Sequence, residues 1–226
     1  MTKFPVTAQM IVKNEERFVW YALASVVNHV SKIIIFDTGS QDKTIKIIEQ
    51  FIKKHPKADI VFTQVKIKQA SEIGKLRHKQ LLQTKTPWLM IIDGDEIWPE
   101  SELIKLLKLI QKLPQNKIAV VNKTRNCVGD IWHYLSQSFG HYQFLGKKGH
   151  YNIRLIRTLS YQVKGVYPDE GYFYHDQLVN EQDSKLAMSD AWYLHASHLP
   201  RTSIQDQALG RRKKTCAQGI KTNKSE

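Results

Sequence analysis

Residues Ile33–Thr44 read "IIIFDTGSQDKT" and decide the fold. Lys32–Asp37 is a short β-branched, apolar run closed by a turn, the pattern of a buried strand. Asp37-Thr38-Gly39-Ser40 spells the turn that carries the catalytic acid of aspartic proteases. Such enzymes need two carboxylates sharing a proton, and the chain has one such turn. A helix also follows it directly. Over Thr44–Lys54, Ile45, Ile48 and Ile52 recur at helical spacing with Ile47 and Phe51 beside them. Strand, acid, small turn and helix make an α/β unit, in which ligands collect at the carboxyl ends of strands. Asp37 stands at such an end, where it either accepts hydrogen bonds from a ribose or nucleobase or braces its own turn. Ser40 or Asp42 is placed to cap the helix.

The pattern repeats outward. Strands are expected over Val6–Val12, Asp59–Val65, Trp88–Asp93 and Lys117–Arg125, and helices over Glu15–His29, Ser71–Gln83 and Pro99–Leu113. The alternation predicts an α/β fold with a mostly parallel central sheet flanked by helices. After Asn126 aromatics and short strands replace long helices, with strands expected at Asn152–Arg157 and Trp192–Ala196. Three regions follow: 1–125, a nucleotide-type α/β half; 126–200, a smaller mixed region; and 201–226, a basic tail.

The chain has 226 residues and a formal charge of +13. Seven basic against two acidic residues put +5 of that charge in the tail. An anionic partner is expected. The tail, with "GRRKKTCAQGIKTNK" at 210–224, suits peripheral contact with an anionic membrane surface. No nucleic acid is expected, since neither an RNP-type nor a helix-turn-helix pattern is present. Two cysteines build no disulfide framework. No apolar leader segment follows Lys3, and a cytoplasmic location, at most peripheral at the inner membrane face, is expected.

"WLMIIDGDEIWPE" (Trp88–Glu100) is the second fixed point. In extended chain, Asp93 and Asp95 face the same way. A buried strand that empties into two or three acids calls for a cation, and oxygen ligands suit Mg²⁺ or Mn²⁺ that also grips substrate phosphates. An EF-hand is excluded, because Ile97 and Ile104 fall where loop ligands five and twelve belong. Neither a G-x-G-x-x-G nor a Walker A motif is present.

"MIVKNEERFVWYALASV", "IIIFDTGSQDKT", "LRHKQLLQTKTPWLMIIDGDE", "YNIRLIR" and "GVYPDE" stand in the order found in glycosyltransferase family 2. The chain resembles the small GT-A members of that family with a K-N-E-E start, from about Gln9 to Arg201. The resemblance implies a GT-A fold and an inverting, metal-dependent transfer of sugar from a nucleotide diphosphate donor. The acceptor would be a hydroxyl of a glycan, a lipid-linked sugar or a surface polysaccharide. Lys13 and Asn14 would line the nucleotide pocket, with Glu16 nearby. Asp37 would touch base or ribose. Arg77 would pair with base or diphosphate, although His78 replaces the family's frequent Asn. Asp93 would reach the ribose side and Asp95 the metal, Mn²⁺ or Mg²⁺. The family's acid after R-L-x-R points to Glu170 as the base that deprotonates the acceptor, with Asp169 the runner-up.

A late histidine often completes the metal shell of GT-A enzymes. "WYLHASHLPR" offers His195 and His198, which alternation puts on opposite faces. His198 is favoured because Pro200 and Arg201 follow it. Between Trp132 and Tyr151 most aromatic rings should fill core, with one or two left exposed for the acceptor. Two rival functions remain open: a nucleotidyltransferase, which would release pyrophosphate, and a non-catalytic sugar- or anion-binding module.

Overall fold

The computed structural model describes residues 3–165, 170–204 and 222–224. Asp169 and most of the basic tail lie outside these residues.

The chain runs β1 (Phe4–Val12), α1 (Val19–Val26), β2 (Val30–Asp37), α2 (Thr44–Lys54), β3 (Ile60–Gln64), α3 (Ile73–Gln83), β4 (Trp88–Ile91), β5 (Glu96–Ile97) and α4 (Glu100–Lys112). It continues with β6 (Ala119–Val128), β7 (Asp130–Leu135), β8 (Tyr142–Phe144), β9 (Lys147–Gly149), β10 (Tyr151–Arg157), β11 (Gln162–Lys164), β12 (Gly171–Tyr174), β13 (Gln177–Leu178), β14 (Leu186–His195) and β15 (Thr222–Lys224).

The α/β layering expected from the alternation is present. The central sheet has the order β15-β7-β6-β10-β4-β1-β2-β3, with β14 beside β6 and β5. β4, β1, β2 and β3 are mutually parallel, as is β14 with β6. β10 returns antiparallel between β4 and β6, so the sheet as a whole is mixed. Residues on both sides of position 125 thus share one sheet. In the tail, Thr222–Lys224 pairs antiparallel with β7.

Period-two alternation assigns the cores. Along β4, Trp88 and Met90 join the core under α1, α2 and α4, while Leu89 and Ile91 join the core under α3 and β12. On α4, Leu103, Leu106, Leu107 and Ile110 are buried at three- and four-residue spacing. Each contributes roughly 1.5–3 kcal/mol by burial. Gln80 is a polar exception on α3. Fully buried, its amide donates to the carbonyls of Met10 (2.8 Å) and Ile34 (3.2 Å), clamping the helix to β1 and β2.

The first helix is shorter than its apolar pattern suggests. The backbone N–H groups of Asn14 and Glu15 donate to Ser40 Oγ and Thr44 Oγ1, at 2.9 and 2.8 Å. Asn14 adopts φ 56°, a left-handed conformation that asparagine tolerates. These ties hold residues 14–17 across to the loop before α2 and delay the helix to Val19. No helix among the described residues is long and apolar enough to cross a membrane.

Candidate active site

A cleft of about 870 Å³ opens at the carboxyl ends of β1 and β4. Lys13, Asn14, Arg77, Asp93, Asp95, Glu170 and His195 all line it. The structure therefore brings together most of the residues singled out from sequence.

The D-G-D turn is shaped by its neighbours. A Cβ on Gly94 would stand 2.8 Å from Glu15 Cγ and 3.0 Å from Val12 Cγ1. Glu15 is itself buried and paired with Arg201, so it has little room to yield. Gly94→Ala should cost about 1–3 kcal/mol by overpacking. Calorimetry should show a Tm lowered by roughly 2–12 °C for a chain of this size, and an unchanged Tm would refute this close packing.

Asp93 lies between two guanidinium groups. Its Oδ1 accepts from Arg77 Nη2 at 3.3 Å and its Oδ2 from Arg154 Nη2 at 3.1 Å. Burial works against its charge, but Arg154 and Arg77 outweigh it and hold the carboxyl below its ordinary pKa. Arg77 also reaches across the cleft, its Nε 3.9 Å from Glu170 Oε1. One side chain thus joins the D-G-D turn to the expected base.

Asp95 is brought to His195 by strand register. β5 pairs antiparallel with the end of β14, setting His195 opposite Glu96. Asp95 Oδ1 stands 3.5 Å from His195 Nε2, and Oδ2 stands 3.7 Å from Arg201 Nη1. Burial opposes protonation of His195, yet Asp95 outweighs it and raises the imidazole pKa. His195 is thus an imidazole beside Asp95. His198 is half-buried and is not among the described residues lining the cleft.

Asp95 and His195 offer an oxygen and a nitrogen to a cation. No three His, Cys, Asp or Glu side chains among the described residues form a closed cage. This donor set fits an ion that takes its other ligands from water and a substrate phosphate, the habit of Mg²⁺.

Asp37 and Glu16 are placed differently. Asp37 is fully buried. Its Oδ1 accepts from the N–H groups of Gly39 and Ser40, both at 2.9 Å, and its Oδ2 from the Ser40 hydroxyl. It braces the turn, in which Gly39 takes φ 98°. Thr38, not Asp37, faces the cleft. Asp42, rather than Ser40, serves the helix start, its Oδ1 accepting from Thr44 N–H at 2.9 Å. Glu16 bonds the N–H groups of Lys43 (3.0 Å) and Ser203 (2.6 Å), away from the cleft. The Ser203 side chain chiefly, then the Lys43 N–H, lowers its pKa. Residues 201–204 are thereby laced onto the K-N-E-E loop, with Arg17 N–H also donating to Arg201 O at 3.1 Å.

Three further residues complete the site. Glu96 is fully buried and pairs with Arg154. Burial pushes its carboxyl up to about 7 despite that guanidinium. Arg154 also donates from Nε to the Tyr193 hydroxyl at 3.1 Å. Arg201, assigned to the tail from sequence, lines the cleft and pairs with Glu15. An arginine inside the apolar strand of "YNIRLIR" was the signal for Arg154, since a buried cation demands an anion.

Comparison with known proteins gives the chain a family. The profile of Glycosyl transferase family 2 matches residues 7–169 and stops one residue short of Glu170. A dolichyl-phosphate beta-glucosyltransferase of Dictyostelium discoideum is 25% identical over 99 residues, or 44% of this chain and 30% of that protein. TarS 1-349 of S. aureus, in complex with UDP-GlcNAc, superposes with a TM-score of 0.59 at 14% identity, covering 92% of this chain and 61% of that one. A second S. aureus TarS structure gives 0.57 at 16% identity, over 87% of this chain and 37% of that one. The chain thus spans under a third of the curated relative's length. The structural likeness shows the fold, GT-A. With residues 7–169 inside the family's profile, the chain belongs to glycosyl transferase family 2.

Proposed function

We propose that the chain catalyses an inverting, metal-dependent transfer of a sugar from a nucleotide diphosphate donor to a hydroxyl of a glycan, lipid-linked or surface polysaccharide acceptor. The observation that carries this is Arg77 linking Asp93 to Glu170 across one cleft. A leaving-group site and a base for the incoming hydroxyl then lie on facing walls.

The donor's nucleoside lies toward Lys13, Asn14 and Thr38, with Asp93 on its ribose side. Asp37 shapes this wall by holding the turn. Lys13, Arg77 and Arg201 supply positive charge along the diphosphate. Mn²⁺ or Mg²⁺, held by Asp95 with His195, would neutralise charge on the departing diphosphate. Glu170 takes the proton of the acceptor hydroxyl as its oxygen bonds to the anomeric carbon. The bond from that carbon to the phosphate oxygen breaks on the opposite face, and the diphosphate leaves with the electron pair. One displacement inverts the anomeric centre. The basic tail would hold the enzyme near an anionic membrane surface, on its cytoplasmic face, where lipid-linked acceptors reside.

A thermal-shift panel of UDP-, GDP- and dTDP-sugars, with and without Mn²⁺, tests the donor. A donor at a hundred times its Kd adds about 2.7 kcal/mol, a Tm rise of roughly 5–11 °C. Product analysis should then show nucleoside diphosphate. Release of pyrophosphate would mean a nucleotidyltransferase, and no response to any donor would leave a non-catalytic module.

A further inference from the structure

We propose that Tyr142 is the acceptor platform, on which a sugar ring of a glycan stacks by its C–H face; this rests on the transferase function above and names its acceptor chemistry. Tyr21, Leu82, Ile131, Trp132, Phe139 and Tyr142 are the large apolar side chains most exposed among the described residues. Of these, Tyr142 alone lines the cleft, with 59% of its surface open.

Its position separates it from the donor. In the sheet, β4 stands between β1 and β10. Lys13 and Thr38 follow β1 and β2, so the nucleotide wall lies on one side of the D-G-D turn. The β8–β9 hairpin lies on the other. It packs there through Phe144, which shares a core with Tyr151 and Ile153 of β10. Tyr142 therefore lines the same cleft as Glu170 and Asp95, on the β10 side of the D-G-D turn.

The ring is presented rigidly and uncovered. A Cβ on Gly140, the second residue before Tyr142, would fall 1.9 Å from Gly149 C. The chain entering the hairpin is therefore pressed against the backbone leaving it. Opposite Tyr142 in the ladder stands Gly149, which has no side chain to lay over the ring. Asn180, exposed, and Asn152 share the cleft wall. An aromatic face in a cleft that also carries amide groups matches a saccharide, whose ring has an apolar C–H face and a hydroxyl rim. A bare alkyl chain would offer the Asn180 amide no hydrogen-bond partner.

Saturation-transfer NMR and calorimetry on the full chain test this. The probes are glucose, galactose, mannose, N-acetylglucosamine and their disaccharides, with UDP and GDP plus Mn²⁺ measured separately. At least one saccharide should bind the wild type. Tyr142→Phe should keep that affinity within threefold, and Tyr142→Ala should lower it roughly tenfold or more. Nucleotide affinity and Tm should be unchanged in both variants. Saccharide binding that is absent, or indifferent to Tyr142→Ala, overturns the proposal, as does weaker nucleotide binding in that variant. Saccharide bound through Tyr142 without any nucleotide affinity would support the subsite and refute the donor assignment instead.

Discussion

Asp95→Asn should lower kcat/KM roughly a thousandfold, about 4 kcal/mol of transition-state stabilisation. The side chain is 2% exposed and stands within 3.5 Å of His195 and 3.7 Å of Arg201. Asparagine fills the same volume but withdraws the negative charge that a bound cation needs. Arg201 keeps Glu15 as a partner, so the 201–204 segment should stay docked. The diagnostic readout is the metal dependence of donor binding. Mn²⁺ should strengthen the thermal shift of the wild type and leave that of the variant unchanged. Equal Mn²⁺ enhancement in both proteins would remove Asp95 from the metal site, and equal turnover would remove it from the reaction. A binding module without catalysis would show neither difference.

How far the sequence discloses such a site depends on the range of the interaction. The D-G-D turn was legible because apolar β4 and its acids are adjacent in the chain. Lys13, Asn14 and Arg77 were legible through the family's order of motifs. Asp37 was ambiguous for a local reason: an acid two residues before a glycine can serve its own turn as readily as a ligand, and here its oxygens are taken by Gly39 and Ser40. The approach of His195 to Asp95 turned on register. No local pattern says that β5, two residues long, pairs with the end of β14 and sets His195 opposite Glu96. Glu96 and Arg154 lie 58 positions apart and meet only because β10 enters beside β4. The mixed sheet has the same origin. Alternating strands and helices predict parallel neighbours, but β10, returning after the β8–β9 hairpin, runs against β4 and β6, and β7 and β5 also pair antiparallel.

Glu170→Gln should lower kcat by about 10²–10⁴, the usual contribution of a positioned base, while donor affinity stays within about twofold. Glutamine keeps the shape of the side chain, which is 12% exposed, and keeps an oxygen to face Arg77 Nε. What it loses is the capacity to accept a proton from the acceptor hydroxyl. The loss should therefore fall on kcat and leave the donor's thermal shift intact, the signature of an interaction made in the transition state. The neighbouring acid is the necessary control. Asp169→Asn should keep turnover within about threefold, since one base suffices for a single displacement. If Asp169→Asn abolishes turnover and Glu170→Gln does not, the base is Asp169, and the Arg77 contact to Glu170 is only a brace between α3 and the start of β12. If both variants turn over normally, neither Asp169 nor Glu170 is the base, and a single displacement driven by this wall of the cleft is wrong.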